Sequence, residues 1–224
     1  MIPWEEIGRV KIPGHEGEIT LLKRGSEFSI RTTGAELMNS RVHGSEDALA
    51  ELALRRIKQR SGLRILVGGL GMGYTLAAAL GRSQPGTHIT VSELIPAVVR
   101  WNWEHLGHLA GMPLDDPRVS VEEEDVAETI RKKKSVWDAI LLDVDNGPEG
   151  LTRQANDHLY GRSGLKAAFS ALRPGGFLAV WSSGADEAFT RRLKQCGFQT
   201  ETVTVRARKS GKGARHTIWL AGKL

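Results

Sequence analysis

Short apolar runs alternate with amphipathic segments between residues 63 and 195, and this alternation is the main structural signal in the chain. The apolar runs predict strands, and the segments with helical spacing of apolar positions predict helices. Strands are predicted over residues 63–67, 88–92, 118–121, 137–142 and 176–182. Helices are predicted over residues 74–81, 95–109, 125–133, 161–172 and 185–195. Because apolar strands joined by helices form parallel sheets covered on both faces, we expect a doubly wound α/β domain.

Polar and apolar residues alternate with the period of a strand at both ends of the chain. Near the N-terminus, two such segments flank Gly25-Ser26, which predicts a small antiparallel β appendage over residues 1–40, ahead of an α/β domain over residues 41–224. Near the C-terminus, the segments 198–206 and 214–221 predict an antiparallel hairpin. The expected fold is therefore a mostly parallel, seven-stranded sheet with a C-terminal antiparallel hairpin and a small N-terminal β appendage.

A further helix is predicted before the first apolar strand. Ser45 is expected to be its N-cap, because a serine hydroxyl can accept a hydrogen bond from an unpaired backbone N–H. Glu46 and Asp47 follow in the first turn, where negative charge stabilises the positive end of the helix dipole.

Composition narrows the class of protein. The single cysteine, Cys196, excludes an internal disulfide and a cysteine-rich metal site, and the seven histidines show no metal-ligand spacing, so no metal is expected. No apolar run approaches the ~20 residues that cross a bilayer, and the N-terminus has no signal-peptide pattern, so we expect a cytoplasmic protein that contacts no membrane. The net charge of +5 allows an anionic partner without requiring one.

The most informative motif is the glycine turn that follows the first apolar strand. The run Gly68-Gly69-Leu70-Gly71-Met72-Gly73 joins that strand to a helix, and Glu93-Leu94 ends the next strand. Bare glycine backbone and a helix N-terminus can approach a ligand closely, and an acid at this spacing can accept hydrogen bonds from two ribose hydroxyls. The motif predicts a nucleoside site, although the glycines could instead serve only close packing of helix and strand.

Acids also follow two later strands, at the edge of the sheet where ligands bind. Asp125 can accept a hydrogen bond from an adenine amine, or it can simply cap the next helix. Asp143 ends a buried strand, where a carboxylate is costly without a task or a partner. It is the candidate catalytic base, with Asp145 and Asn146 positioning an acceptor; the alternative is a turn whose side chains bond local backbone.

Together these residues resemble the spermidine synthase-like proteins, which have the class I S-adenosylmethionine-dependent methyltransferase fold. The resemblance covers Leu21 to the C-terminus and rests on Ile65–Gly73, Val91–Leu94, Asp125, Trp137–Asp143, Leu159-Tyr160 and Leu172–Leu178. It implies that Gly69, Gly71 and Gly73 approach S-adenosylmethionine or its decarboxylated form, that Glu93 holds the ribose, and that Asp125 meets the adenine. It also implies that Asp143 acts on the attacking amine in aminopropyl transfer.

Three departures from polyamine synthases shape the functional expectation. Gly71 stands where that family usually has an aspartate that holds the donor amine, and Asn146 stands where it has a second aspartate. The hairpin loop, Arg208 to Gly213, is cationic, and a cationic loop with few acids would repel a polycation. These departures favour methyl transfer to a small or anionic acceptor that bears N or O.

Two alternatives stay open beside methyl transfer. The first is an aminopropyltransferase that uses decarboxylated S-adenosylmethionine, and the second is a nucleoside-binding protein without turnover. The resemblance and the exposed N-terminal strand edges lead us to expect a homodimer. A nucleic-acid partner is a weaker expectation, because no aromatic residue interleaves the basic C-terminal segment.

Overall fold

The computed structural model describes residues 2–14, 16–57, 61–144, 147–148, 158–208 and 210–224. An antiparallel four-stranded sheet comes first, and each strand pairs with its neighbour in the chain. Its strands are β1 (Glu5–Lys11), β2 (Glu18–Arg24), β3 (Glu27–Thr32) and β4 (Ala35–Asn39). One face of this sheet packs into the same apolar cluster as the following helices, so the appendage and the α/β part share a core. The division at residue 40 stays a prediction.

The main sheet has seven strands within the described ranges, in the order β10-β11-β9-β8-β5-β6-β7. These are β5 (Arg64–Gly68), β6 (His88–Ser92), β7 (Val119–Glu122), β8 (Trp137–Leu142), β9 (Leu172–Ser182), β10 (Gln199–Arg206) and β11 (Arg215–Gly222). Strands β5 to β9 pair in parallel, whereas β11 pairs antiparallel with both β9 and β10. The predicted doubly wound fold with a C-terminal antiparallel hairpin is confirmed.

Helices cover both faces of this sheet, and two apolar clusters form the core. The α-helices in the described part of the chain are α1 (Gly44–Leu54), α2 (Tyr74–Arg82), α3 (Pro96–Trp101), α4 (Val126–Arg131), α5 (Arg162–Ala171) and α6 (Glu187–Gln195). Strand β8 is buried on both faces, with Ala139 and Leu141 in one cluster and Ile140 and Leu142 in the other. No helix among the described residues is both long and apolar enough to span a bilayer.

The strand order reverses direction at β5, which places a crevice at the carboxyl ends of β5 and β8. The chain runs from β5 outward to β6 and β7, then returns to β8 on the other side of β5. In open α/β sheets a ligand binds at such a switch point. The glycine turn after β5 and Asp143 after β8 both lie at this crevice.

The helix predicted over residues 95–109 is α-helical only as far as Trp101. It continues as a π-helical turn over Asn102–Leu106 and a 3-10 turn over Gly107–Ala110. The Asn102 amide donates hydrogen bonds to the carbonyls of Val98 and of Gly71 in the glycine turn, at 2.9 and 2.8 Å. Because this contact comes from a distant segment, the local spacing of apolar residues did not reveal the change of helix type.

The prediction that Ser45 caps α1 is wrong. The helix begins two residues earlier than that prediction requires, with His43 at the N-cap position and no side-chain cap. Ser45 is fully buried, and its hydroxyl donates to the Glu46 carboxylate at 2.6 Å instead of capping the backbone.

Candidate active site

The glycine turn adopts a conformation that side chains would disturb. Gly69, Gly71 and Gly73 all have left-handed φ angles, of 85°, 53° and 84°. A Cβ atom on Gly69 would lie 2.4 Å from the carbonyl oxygen of Asp143. Glycine is therefore needed at residue 69, because it lets the turn pack directly against the end of β8.

Glu93 is buried and holds the glycine turn in place. One carboxylate oxygen accepts the Leu70 N–H at 2.8 Å, and the other accepts the Ile95 N–H at 2.9 Å. Burial raises the pKa of Glu93, and the backbone donors oppose that rise. The backbone N–H groups of Gly71 and Leu94 also lower this pKa, so a ribose hydroxyl would share the carboxylate oxygens with four backbone donors. These donors fix the carboxylate at the switch point, and its contact with a ribose stays a prediction.

The remaining predicted nucleoside contacts lie at or after the carboxyl ends of β5, β6 and β7 and differ in exposure. Met72 is fully buried in the core, whereas Leu94 is 39% exposed. Asp125 is the N-cap of α4, and its Oδ1 atom accepts the Ala127 N–H at 2.8 Å. The capping role of Asp125 is confirmed, and its contact with adenine stays a prediction, as do those of Met72, Leu94 and Gly68.

Asp143 directly follows β8 and is a half-buried residue. Its Oδ2 atom accepts a hydrogen bond from the Thr75 hydroxyl of α2 at 2.6 Å. Burial raises the pKa of Asp143 to about 6, and the Thr75 hydrogen bond opposes that rise. A carboxyl with such a pKa can take or give a proton near neutral pH. Asp145 and Asn146, the predicted positioning residues, lie outside the described residues.

Two further acids, which the sequence analysis assigned to the helix dipole, join Asp143: the charge of Asp143 acts on Glu46, and so does the charge of Asp47. Glu46 and Asp47 stand in the first turn of α1, and each is only 9% exposed. Burial, and then the charge of Asp143, raises the pKa of Glu46 to about 7. Thr75 lies between Asp143 and α1. Its hydroxyl group, which donates to Asp143, also lies 3.4 Å from the Glu46 carbonyl oxygen. We call Glu46, Asp47 and Asp143 the carboxylate cluster.

Aromatic and histidine side chains surround this cluster. His43 Nδ1 lies 2.8 Å from Asp47 Oδ2, and the His43 ring stacks on Tyr74 with 4.1 Å between centroids. Burial, and then the charges of Glu46 and Asp47, raises the pKa of Tyr74 to about 12. The phenol therefore stays protonated at neutral pH.

Strand β4 of the first sheet covers the glycine turn. A Cβ atom on Gly71 would lie 2.7 Å from the sulfur of Met38 and 3.2 Å from its methyl carbon. The Met38 thioether thus occupies the space next to Gly71 into which an aspartate side chain would extend.

The cationic hairpin loop lies beside the start of α1. The Gly44 N–H donates to the Ala207 carbonyl at 2.8 Å, so the base of the loop contacts the helix turn that carries Glu46. No group of three or more candidate metal ligands occurs among the described residues.

Comparison with known proteins supports this reading of the fold. No family model matches the sequence. A curated relative, polyamine aminopropyltransferase 2 of Pseudomonas aeruginosa, is 33% identical over 120 residues, which are 52% of this chain and 32% of the relative. The chain therefore matches about a third of that relative's length.

Three solved structures are similar over nearly the whole chain. Spermidine synthase from Thermotoga maritima has a TM-score of 0.77 at 19% identity, with 98% of this chain and 73% of that chain covered. A spermidine synthase in complex with the transition-state analogue AdoDATO has a TM-score of 0.75 at 18% identity, with coverage of 98% and 72%. The chain resembles the spermidine synthases. A probable spermidine synthase from Corynebacterium glutamicum gives a TM-score of 0.66 at 18% identity, with coverage of 96% and 79%. At sequence identities of 18–19% this likeness establishes the fold alone. The predicted resemblance to spermidine synthase-like proteins is therefore confirmed for the fold.

Proposed function

We propose that this spermidine synthase-like chain is a transferase that moves an aminopropyl group from decarboxylated S-adenosylmethionine to an amine. The relative that is 33% identical bears the name of a polyamine aminopropyltransferase, which supports the alternative raised by the sequence rather than methyl transfer. The names of the three similar structures point the same way.

The observation that carries the proposal is the carboxylate cluster. The sequence argued against a polycationic substrate because acids were missing from the glycine turn and from residue 146. The fold supplies other acids, since the first turn of α1 places Glu46 near Asp143, and Asp47 acts on Glu46 from the same turn. Like charges in a buried site repel one another, and an ammonium group placed among them removes that penalty. The cluster therefore favours a cationic acceptor over an anionic one.

The acceptor amine must lose a proton before its nitrogen can attack. An alkyl ammonium has a pKa of about 10, so it enters the site charged. Carboxyl groups with pKa values of about 6 and 7, Asp143 and Glu46, are suited to accept that proton near neutral pH. Thr75, through its hydrogen bond to Asp143, fixes the orientation of one of these bases.

The donor supplies a sulfonium that makes the neighbouring carbon electrophilic and leaves as a neutral thioether. The new C–N bond forms as the C–S bond breaks, and one proton is released in each turnover. The residues at the switch point fit the adenosine part of such a donor, because Glu93 offers a fixed buried acceptor and Gly69 leaves the backbone open. The protein contributes proximity, orientation and a base.

Product analysis tests the proposal against methyl transfer. The protein would be incubated with a diamine such as putrescine and either decarboxylated S-adenosylmethionine or S-adenosylmethionine, and the products identified by mass spectrometry. The proposal requires an aminopropylated amine and methylthioadenosine from the decarboxylated donor. A methylated acceptor formed from S-adenosylmethionine alone would support the methyltransferase reading, and binding of both donors without any product would support a nucleoside-binding protein.

A further inference from the structure

A chain of hydrogen bonds leads from the carboxylate cluster to the C-terminal hairpin. The Ser45 hydroxyl donates to Glu46 Oε2 at 2.6 Å, and its oxygen lies 2.8 Å from Nδ1 of His216. Ser45 and Glu46 belong to α1, whereas His216 belongs to β11, which is 171 residues further along the sequence than Ser45. The contact therefore depends on the completed fold.

Glu46, Ser45 and His216, which form this series of hydrogen bonds, can each both donate and accept a proton. A serine hydroxyl has one hydrogen and two lone pairs, and a neutral imidazole can carry its hydrogen on either nitrogen. With Glu46 ionised, His216 Nδ1–H donates to Ser45 and Ser45 donates to Glu46. With Glu46 protonated, the two hydrogen bonds can reverse and point from Glu46 to His216.

The surroundings of His216 suit a proton acceptor rather than a fixed cation. Its ring is half-buried and meets the edge of the Trp181 ring, with 4.8 Å between centroids. Burial lowers the pKa of His216 and so favours the neutral form of the ring. The half-buried position gives the ring a path to solvent that the 9% exposed Glu46 lacks.

We propose that Ser45 and His216 are positioning residues that hold Glu46 and carry away the proton which the acceptor amine releases. The inference rests on the proposed aminopropyl transfer. Glu46 takes a proton from the ammonium group, and the neutral His216 ring moves its hydrogen from Nδ1 to Nε2 by exchange with solvent, which frees the Nδ1 lone pair. The Glu46 O–H then donates its proton to Ser45 Oγ as the Ser45 hydroxyl proton passes to His216 Nδ1. The imidazolium releases a proton from Nε2 to solvent, so one proton leaves in each turnover.

Steady-state kinetics with decarboxylated S-adenosylmethionine and a diamine test the relay. An asparagine amide can donate to Ser45 as Nδ1–H does, but it cannot accept a proton. We expect His216→Asn to lower kcat about tenfold or more, with the KM for the diamine changed less than about twofold. Ser45→Ala removes the hydroxyl that links Glu46 to His216. It should likewise lower kcat and leave the KM for the diamine nearly unchanged. His88→Asn, which replaces an exposed histidine at the start of β6, is the matched control.

Two outcomes would overturn the relay alone: a His216→Asn enzyme with wild-type kcat, or a Ser45→Ala enzyme that loses diamine binding and keeps kcat. A ¹⁵N spectrum of the histidine rings gives a readout without turnover, and the His216 Nδ1 signal must shift in Ser45→Ala and stay unchanged in His88→Asn. If the wild-type protein shows no turnover with any diamine, the proposed function fails and the proton path fails with it. Melting curves show whether each variant folds.

Discussion

Replacing Glu46 with glutamine should make the protein more stable at alkaline pH. Glutamine keeps the shape of the side chain and its carbonyl can still accept the Ser45 hydroxyl, but it carries no charge. Glu46 is 9% exposed and lies beside the charge of Asp143, so its ionised form is disfavoured in the folded state.

The size and sign of the effect follow from the pKa of Glu46, which folding raises from 4.5 to about 7. A carboxyl with a raised pKa destabilises the fold only when it is ionised. The penalty is absent below the unfolded-state pKa, grows between pH 4.5 and about 7, and is fully present above that range. At about 1.4 kcal/mol for each pKa unit, Glu46→Gln should gain about 3 kcal/mol at pH 8 and less than about 1 kcal/mol at pH 5.

Urea unfolding followed by circular dichroism at pH 5 and pH 8 measures this difference. Glu187→Gln is the control, because the Glu187 side chain is 93% exposed and its charge should contribute little at either pH. Equal stability changes for Glu46→Gln at both pH values would refute the reasoning, since burial of a charged Glu46 would then not limit the stability.

Other predictions concern an ion pair near the amino end of β8 and residues of the candidate site. Asp138→Ala should lower the free energy of unfolding by about 3 kcal/mol, because the Arg173 guanidinium, which lies 2.9 Å from the Asp138 carboxylate, loses its partner. A loss below about 1 kcal/mol in urea unfolding would show that this ion pair does not stabilise the fold. Gly71→Asp should destabilise the protein by about 1–3 kcal/mol through overlap with Met38, and Met38→Ala should restore part of that loss; additive melting shifts would show that the two residues do not touch. Glu93→Gln should weaken methylthioadenosine binding about tenfold or more in calorimetry, because an amide presents one acceptor where the carboxylate presents two; unchanged affinity would remove Glu93 from the nucleoside site.

The fold could be predicted from the sequence because its main signals are local. Strand β8 is buried on both faces, so it reads as a continuous apolar run from Ala139 to Leu142. The Asp125 cap is likewise set by residues within a few positions of one another. Patterns of this kind survive folding because the packing around them agrees with the local preference.

The carboxylate cluster could not be predicted from local patterns. Glu46 in a first helical turn has a sufficient local explanation in the helix dipole, and nothing near it in sequence shows that Asp143 will lie beside it. Ser45 has the residue type of an N-cap, yet its hydroxyl bonds to Glu46 and lies next to His216 from the far end of the chain. The charge of a site depends on which distant segments the fold brings together. The sequence analysis considered only the acids inside the motifs shared with polyamine synthases, so it did not include Glu46 and Asp47.

Calorimetry of diamine binding tests the central claim, that the buried carboxylates hold a cationic acceptor beside the nucleoside. Putrescine would be titrated at pH 8 into the protein loaded with methylthioadenosine, for the wild type and for Glu46→Gln. The account predicts that the wild type binds putrescine and that Glu46→Gln binds it about tenfold more weakly or worse, although the variant is the more stable protein. Equal affinity of the two proteins for putrescine would contradict it.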